Sequence, residues 1–155
     1  MKTTHSILFT LLLGAGCAHA PRPYTFTARS SGAEATVEKV AASLVRQGHP
    51  VSGVDRRSAQ ITTYWENTGY RYRETDDLED ETTVFLRYHV DVRPVNGQQQ
   101  VTVSAEAQRC VPYRAVITKK EVLSTCINMD KLLVTHQRTV DELGRRLAAS
   151  LVGPG

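Results

Sequence analysis

The sequence predicts an α+β fold: an antiparallel sheet, in the order β-α-β-β-β-β-α, with two amphipathic helices packed on one face. Three observations lead there. Ser31-Gly32-Ala33-Glu34 has the form of a capping box, and Val37, Val40, Ala41, Leu44 and Val45 follow it as one apolar stripe at helical spacing. Asn96-Gly97, the preferred pair of a two-residue type I′ turn, lies between two stretches of alternating polarity. Leu133, Val140, Leu143, Leu147 and Leu151 form a second helical stripe. Two such helices and a sheet apolar on one side bury each other's apolar surfaces.

Along the chain, Tyr24-Thr25-Phe26-Thr27 alternates aromatic with threonine and reads as a short strand. The first helix starts at the capping box, where the Ser31 hydroxyl accepts the N–H three residues on and Glu34 reaches back. It stops at Gly48 and Pro50. Val51 to Val54 and Ala59 to Trp65 form a hairpin about Asp55 to Ser58, with Ile61, Thr63 and Trp65 on one face and Thr62 and Tyr64 on the other.

Folding the chain about Asn96-Gly97 places Val95 opposite Gln98. Val92 then faces Val101, Val90 faces Val103, Tyr88 faces Ala105 and Leu86 faces Ala107, all on one side. The other side carries Arg93, Asp91, His89, Arg87 and Phe85 opposite Gln100, Thr102, Ser104, Glu106 and Gln108, with an Arg87–Glu106 cross-strand ion pair. The second helix ends at Gly153-Pro154-Gly155.

The first residues speak to compartment. Lys2 precedes an apolar run from Ile7 to Leu13, far short of the roughly 20 residues that span a bilayer and suited to an export signal. Cleavage after Ala18-His19-Ala20 satisfies the small-x-small rule but leaves Pro21 next to the cut, where its missing N–H makes a poor substrate. Leu13-Gly14-Ala15-Gly16-Cys17 resembles the lipobox of bacterial lipoproteins, although Leu13 lies four residues before the cysteine, not three. The resemblance implies a signal peptide over residues 1–16, lipidation of Cys17, a tether over 17–23 and one domain over 24–155. Similarity to enterobacterial lipoproteins further implies, from Ala18 in place of Asp, transfer to the outer membrane. A cut between Cys17 and Ala18, releasing a soluble periplasmic chain, is the alternative.

Loss of residues 1–16 would leave 139, enough for one core. The formal charge of the whole chain is +3, with basic and acidic residues mixed along its length. Nucleic acid, which selects a clustered basic face, is not an expected partner. In an oxidising compartment Cys110 and Cys126 are expected to pair, and closing a loop of about 15 residues stabilises by roughly 3 kcal/mol. The alternative, a reactive or metal-binding pair, lacks Cys-x-x-Cys spacing and a matching histidine set. Such a bond would pin the connection from Val111 to Thr125 to the sheet edge.

No G-x-S-x-G, H-E-x-x-H or Gly-rich phosphate loop nominates catalysis, so no catalytic residue, metal ligand or cofactor is expected. Glu74 to Glu81, "ETDDLEDE", lacks the residue order and turn glycine of a calcium loop and reads as a solvated connection. His49, His89 and His136 each lack a second ligand at metal-binding spacing on the same element. Tyr70, Arg71, Tyr72 and Arg73 alternate rings and cations, a mixture enriched at protein interfaces and equally that of an exposed edge strand.

The run "AEATVEKVAASLVRQGHPVSGVDRRSAQITTYW" is a helix followed by a hairpin ending in an aromatic pair. It resembles the helix-grip domains of the C-subunit lipoprotein of the bacterial β-barrel assembly machine. The expectation is a non-enzymatic outer-membrane lipoprotein, held by its lipid, that serves as a binding or accessory module for another envelope protein. The alternative is a periplasmic carrier or sensor of a small apolar ligand, held between sheet and last helix with Tyr88 and Ala105 lining the cavity.

Overall fold

The computed structural model describes residues 21–29, 32–73, 81–114 and 121–152. The α+β expectation holds, as seven strands in one sheet and two helices. The order is β1 (Tyr24–Ala28), α1 (Ala33–Arg46), β2 (Val51–Asp55), β3 (Gln60–Thr63), β4 (Glu66–Arg73), β5 (Glu81–Val95), β6 (Gln98–Arg114), β7 (Glu121–Met129) and α2 (Val134–Val152). Every strand pairing is antiparallel.

The β5–β6 hairpin is the spine of the sheet. Asn96 and Gly97 take φ of 50° and 76°, the double positive φ that a type I′ turn requires. The register follows the side-chain alternation: Val95 pairs with Gln98, Tyr88 with Ala105 and Leu86 with Ala107. Leu86, Tyr88, Val90 and Val92 join Val101, Val103, Ala105 and Ala107 in a buried cluster that also contains Val37, Val40 and Leu44 of α1 and Val140, Leu143 and Leu147 of α2.

Both spine strands change partners midway. Near the turn, β5 pairs with β3 and β6 with β1; toward the other end, β5 pairs with β4 and β6 with β7. Strands β4 and β7 correct the five-strand expectation. The segment read as a connection from Val111 to Thr125 is in fact mostly strand, β6 continuing to Arg114 and β7 starting at Glu121. "ENTGYRYR" and "EVLSTCINM" carry no clean period of two, so their strand state comes from pairing with β5 and β6.

Helix α1 stops as expected. Gly48, at φ 86°, lets His49 N–H reach the Leu44 carbonyl and Gly48 N–H the Val45 carbonyl, a Schellman pattern. Its start differs. The N-cap is Gly32, with no side-chain cap bond, and Ser31 lies outside the described residues. Val45, assigned to the apolar stripe, is 58% exposed, while Thr36 and Ser43 are buried.

A second difference lies where β5 exchanges β3 for β4. Thr62 pairs with His89 and Glu66 with Leu86, so four steps on one strand match three on the other. This extra residue inverts the alternation. Trp65 therefore lies against Arg87 on the helix-free side of the sheet, opposite to the buried Ile61 and Thr63 with which it was grouped. The interrupted ladder is completed by a side chain, because buried Thr63 accepts the Tyr88 N–H on Oγ1 at 3.0 Å and donates to the Tyr64 carbonyl.

Thr63→Val keeps the shape but leaves the buried Tyr88 N–H unpaired. A loss of about 1–3 kcal/mol in urea-unfolding stability is expected. Thr63→Ser, which retains the acceptor, should recover most of it.

Candidate functional site

The face of the sheet that is helix-free among the described residues is polar and organised. At its centre Glu106 on β6 receives Arg87 Nη2 at 2.6 Å, the cross-strand pair that the hairpin register implies. The Arg87 guanidinium also stacks over the Trp65 ring at 4.6 Å from its centroid, so one cation is shared between a carboxylate and an aromatic face. His89 Nε2 lies 3.1 Å from the other Glu106 oxygen, near enough for an ion pair but out of line for a hydrogen bond. Thr62 Oγ1 approaches His89 Nδ1 at 3.4 Å. The Arg87 hydrogen bond, helped by the charge of His89, holds the Glu106 carboxyl below its ordinary range against the effect of partial burial.

Beside this network Gln60 Nε2 donates to Asp91 Oδ1 at 2.7 Å. A shallow depression of about 300 Å³ lies over Gln60, His89, Asp91, Ser104 and Glu106. Its donors and acceptors sit on alternate positions of three adjacent strands, so their spacing is that of the pleat. Such a surface can hydrogen-bond and stack against a partner.

The other face holds a second polar cluster, at the end of α1. His49, in the helix-stop turn, meets Glu66 of β4 with Nδ1 2.8 Å from Oε2, and Arg146 Nη2 of α2 lies 3.4 Å from His49 Nε2. With its proton on Nδ1, the imidazole donates to the carboxylate and presents an acceptor to the guanidinium. The His49 ring stands edge-on to Tyr88 at 5.2 Å between centroids. Burial pushes the Tyr88 hydroxyl up to about 12, Glu66 adding to the shift and Arg146 opposing it. The cluster ties α1, β4, β5 and α2 together. Its partners come from four elements, so local spacing along the chain could not have revealed it.

Cys110 and Cys126, directly opposite on β6 and β7, are joined as a disulfide. Tyr70 to Arg73 form the second half of β4, where Arg71, Tyr72 and Arg73 pair with Thr83, Thr82 and Glu81 of β5. Tyr70 is 40% exposed, and its ring edge meets His136 at 5.5 Å. Tyr70 thus turns to the side of the sheet that carries α2, whereas Arg71, opposite Thr83, has the register of the other side. Cys17 and residues 74–80 of the acidic run lie outside the described residues. Among the described residues no group of three or more histidine, cysteine or carboxylate side chains is placed to hold a metal ion, and no helix is long and apolar enough to cross a membrane. Tyr88 and Ala105, the pair expected to line a ligand cavity, are packed in the core with Val140, Leu143 and Leu147.

No protein-family profile matches this chain, and no curated protein does. Among solved structures, a DUF4468 family protein from Bacteroides ovatus ATCC 8483 superimposes with a TM-score of 0.42, at 10% identity and over 86% of each chain.

His136 is 3% exposed, and among the described residues neither ring nitrogen has a hydrogen-bond partner. Burial holds its titration below the ordinary 6.5. The unfolded chain takes up this proton first as pH falls, so stability present above pH 6.5 is lost on acidification. The urea midpoint should fall from pH 6.5 towards 4.5, and His136→Leu should remove that dependence while keeping stability near neutrality. An unchanged pH slope in the variant would contradict the assignment.

Proposed function

We propose that this chain is a non-enzymatic outer-membrane lipoprotein, anchored through Cys17, whose domain binds another envelope protein through the helix-free face of its sheet. The observation that carries this reading is Arg87 held over the Trp65 ring on that face. Tryptophan and arginine are the residue types that most often dominate binding energy at protein interfaces. Here Glu106 sets the guanidinium in place before any partner arrives, which lowers the ordering cost of association. Residues of both helices pack in the apolar cluster on the opposite face, and among the described residues neither helix lies over this one. The export signal and the lipobox-like stretch ending at Cys17 supply the address, and the Cys110–Cys126 bond suits an oxidising compartment.

The test is in-cell crosslinking from a photoreactive residue at Gln108 or Thr102, which border the network, followed by identification of captured envelope proteins. Trp65→Ala and Arg87→Ala should each weaken capture at least tenfold, as expected for a site costing about 2 kcal/mol or more on truncation. Equal capture by both variants would exclude this face. Intact mass of the protein from its native membrane checks the address: residues 17–155 plus acyl groups, with two cysteines alkylated only after reduction.

A further inference from the structure

The described residues begin beside Arg22, and this entry is clamped. Gln137 of α2 holds the Arg22 backbone at both groups: Arg22 N–H donates to Oε1 at 3.0 Å, and Nε2 donates to the Arg22 carbonyl at 2.7 Å. The same Nε2 donates to Asp141 Oδ1, and Arg22 Nη2 stands 3.6 Å from Asp141 Oδ2. Two residues on, the Tyr24 ring fills the space over Gly144, where a Cβ would overlap it. Arg22 is thereby fixed to the flank of α2. Five residue steps separate it from Cys17, and at ~3.5 Å per extended residue they reach at most ~17 Å.

Close to that entry point α2 shows an exposed stripe. Val134, Arg138, Asp141 and Arg145 follow at helical spacing on the side away from the buried His136, Val140, Leu143 and Leu147. Asp141 is the one acid in the stripe, and it is engaged by Gln137 and Arg22. Among the described residues Arg22 pairs with Asp141, Arg146 pairs with the exposed Glu142, and Asp130 adjoins Lys131 just before the helix, so the charge in excess on the stripe is that of Arg138 and Arg145.

We propose that the exposed stripe of α2, from Val134 to Arg145, docks on anionic phospholipid headgroups and sets the orientation of the domain on its membrane. The proposal rests on the reading of Cys17 as the lipid attachment site. A tether of this length cannot hold the domain clear of the surface. The flank nearest the tether carries the charge that anionic headgroups attract. The face with Trp65 and Arg87 lies on the other side of the sheet from α2 and so points away from the bilayer, open to a partner.

The experiment uses the full lipidated protein in vesicles of phosphatidylethanolamine with a minor fraction of phosphatidylglycerol, the acyl chains brominated to quench tryptophan. The native protein reports from Trp65, its one tryptophan. A second form carries Val134→Trp in a Trp65→Phe background. The expected result is loss of emission from position 134 with Trp65 unaffected, and recovery of emission when Arg138→Glu and Arg145→Glu are added or phosphatidylglycerol is omitted. Equal emission from both positions in protein that floats with the vesicles would overturn the docking and leave the anchor standing. Protein that carries no acyl mass and does not float would overturn anchor and docking together.

Discussion

Because Asn96 and Gly97 both sit at positive φ, β6 returns along β5 with the twist of the strands, and one register brings eight apolar or small side chains to one side. A slip of one residue would turn Leu86, Tyr88, Val90 and Val92 to solvent together. The helices have no other apolar surface of that size among the described residues to bury Val37, Val40, Leu44, Val140, Leu143 and Leu147 against. Strands β1, β3, β4 and β7 then add to free edges of the same pair. The position of each later element is thus conditional on a two-residue turn.

The same alternation that builds the core also builds the polar face. Every inward residue of the spine implies an outward neighbour, so Arg87, His89, Glu106 and Ser104 are spaced by the pleat without any further device. What they gain from neighbours is order more than stability. The Arg87–Glu106 pair is half open to water, where such pairs contribute about 0–1 kcal/mol. Its effect is on position, since the guanidinium is held over the Trp65 ring and the carboxylate is kept charged.

Much of this was legible along the chain, and the part that was not has a common cause. Helix α1, its Gly48 stop, the Asn96-Gly97 register and the Arg87–Glu106 pair each follow from local spacing or from a symmetric fold about one turn, and the Cys110–Cys126 bond from the expected oxidising compartment. Strands β4 and β7 were legible only in part: Tyr70 to Arg73 alternate as an edge strand does, but Asn67 and Gly69 interrupt the first half of β4, and β7 does not alternate cleanly. The sidedness of Trp65 depends on one extra residue between Thr62 and Glu66, which only the partner strand reveals. His49, Glu66 and Arg146 converge from positions 17 and 97 residues apart. The network on the helix-free face was half visible: its β5 and β6 members were set by the hairpin, and Trp65 was assigned to the wrong side.

The exchange of partners halfway along β5 and β6 divides one continuous hairpin into two zones. Near the turn the spine is flanked by β3 and β1 and backed by the main core. Beyond it the spine is flanked by β4 and β7, and Val84 and Cys110, though buried, stand outside the main apolar cluster. Cooperative opening follows packing more than chain continuity, and this single pair of strands is held by different neighbours on either side of the exchange. The covalent link between Cys110 and Cys126 sits beyond the exchange, where it couples β7 to the spine by a bond that does not depend on the core.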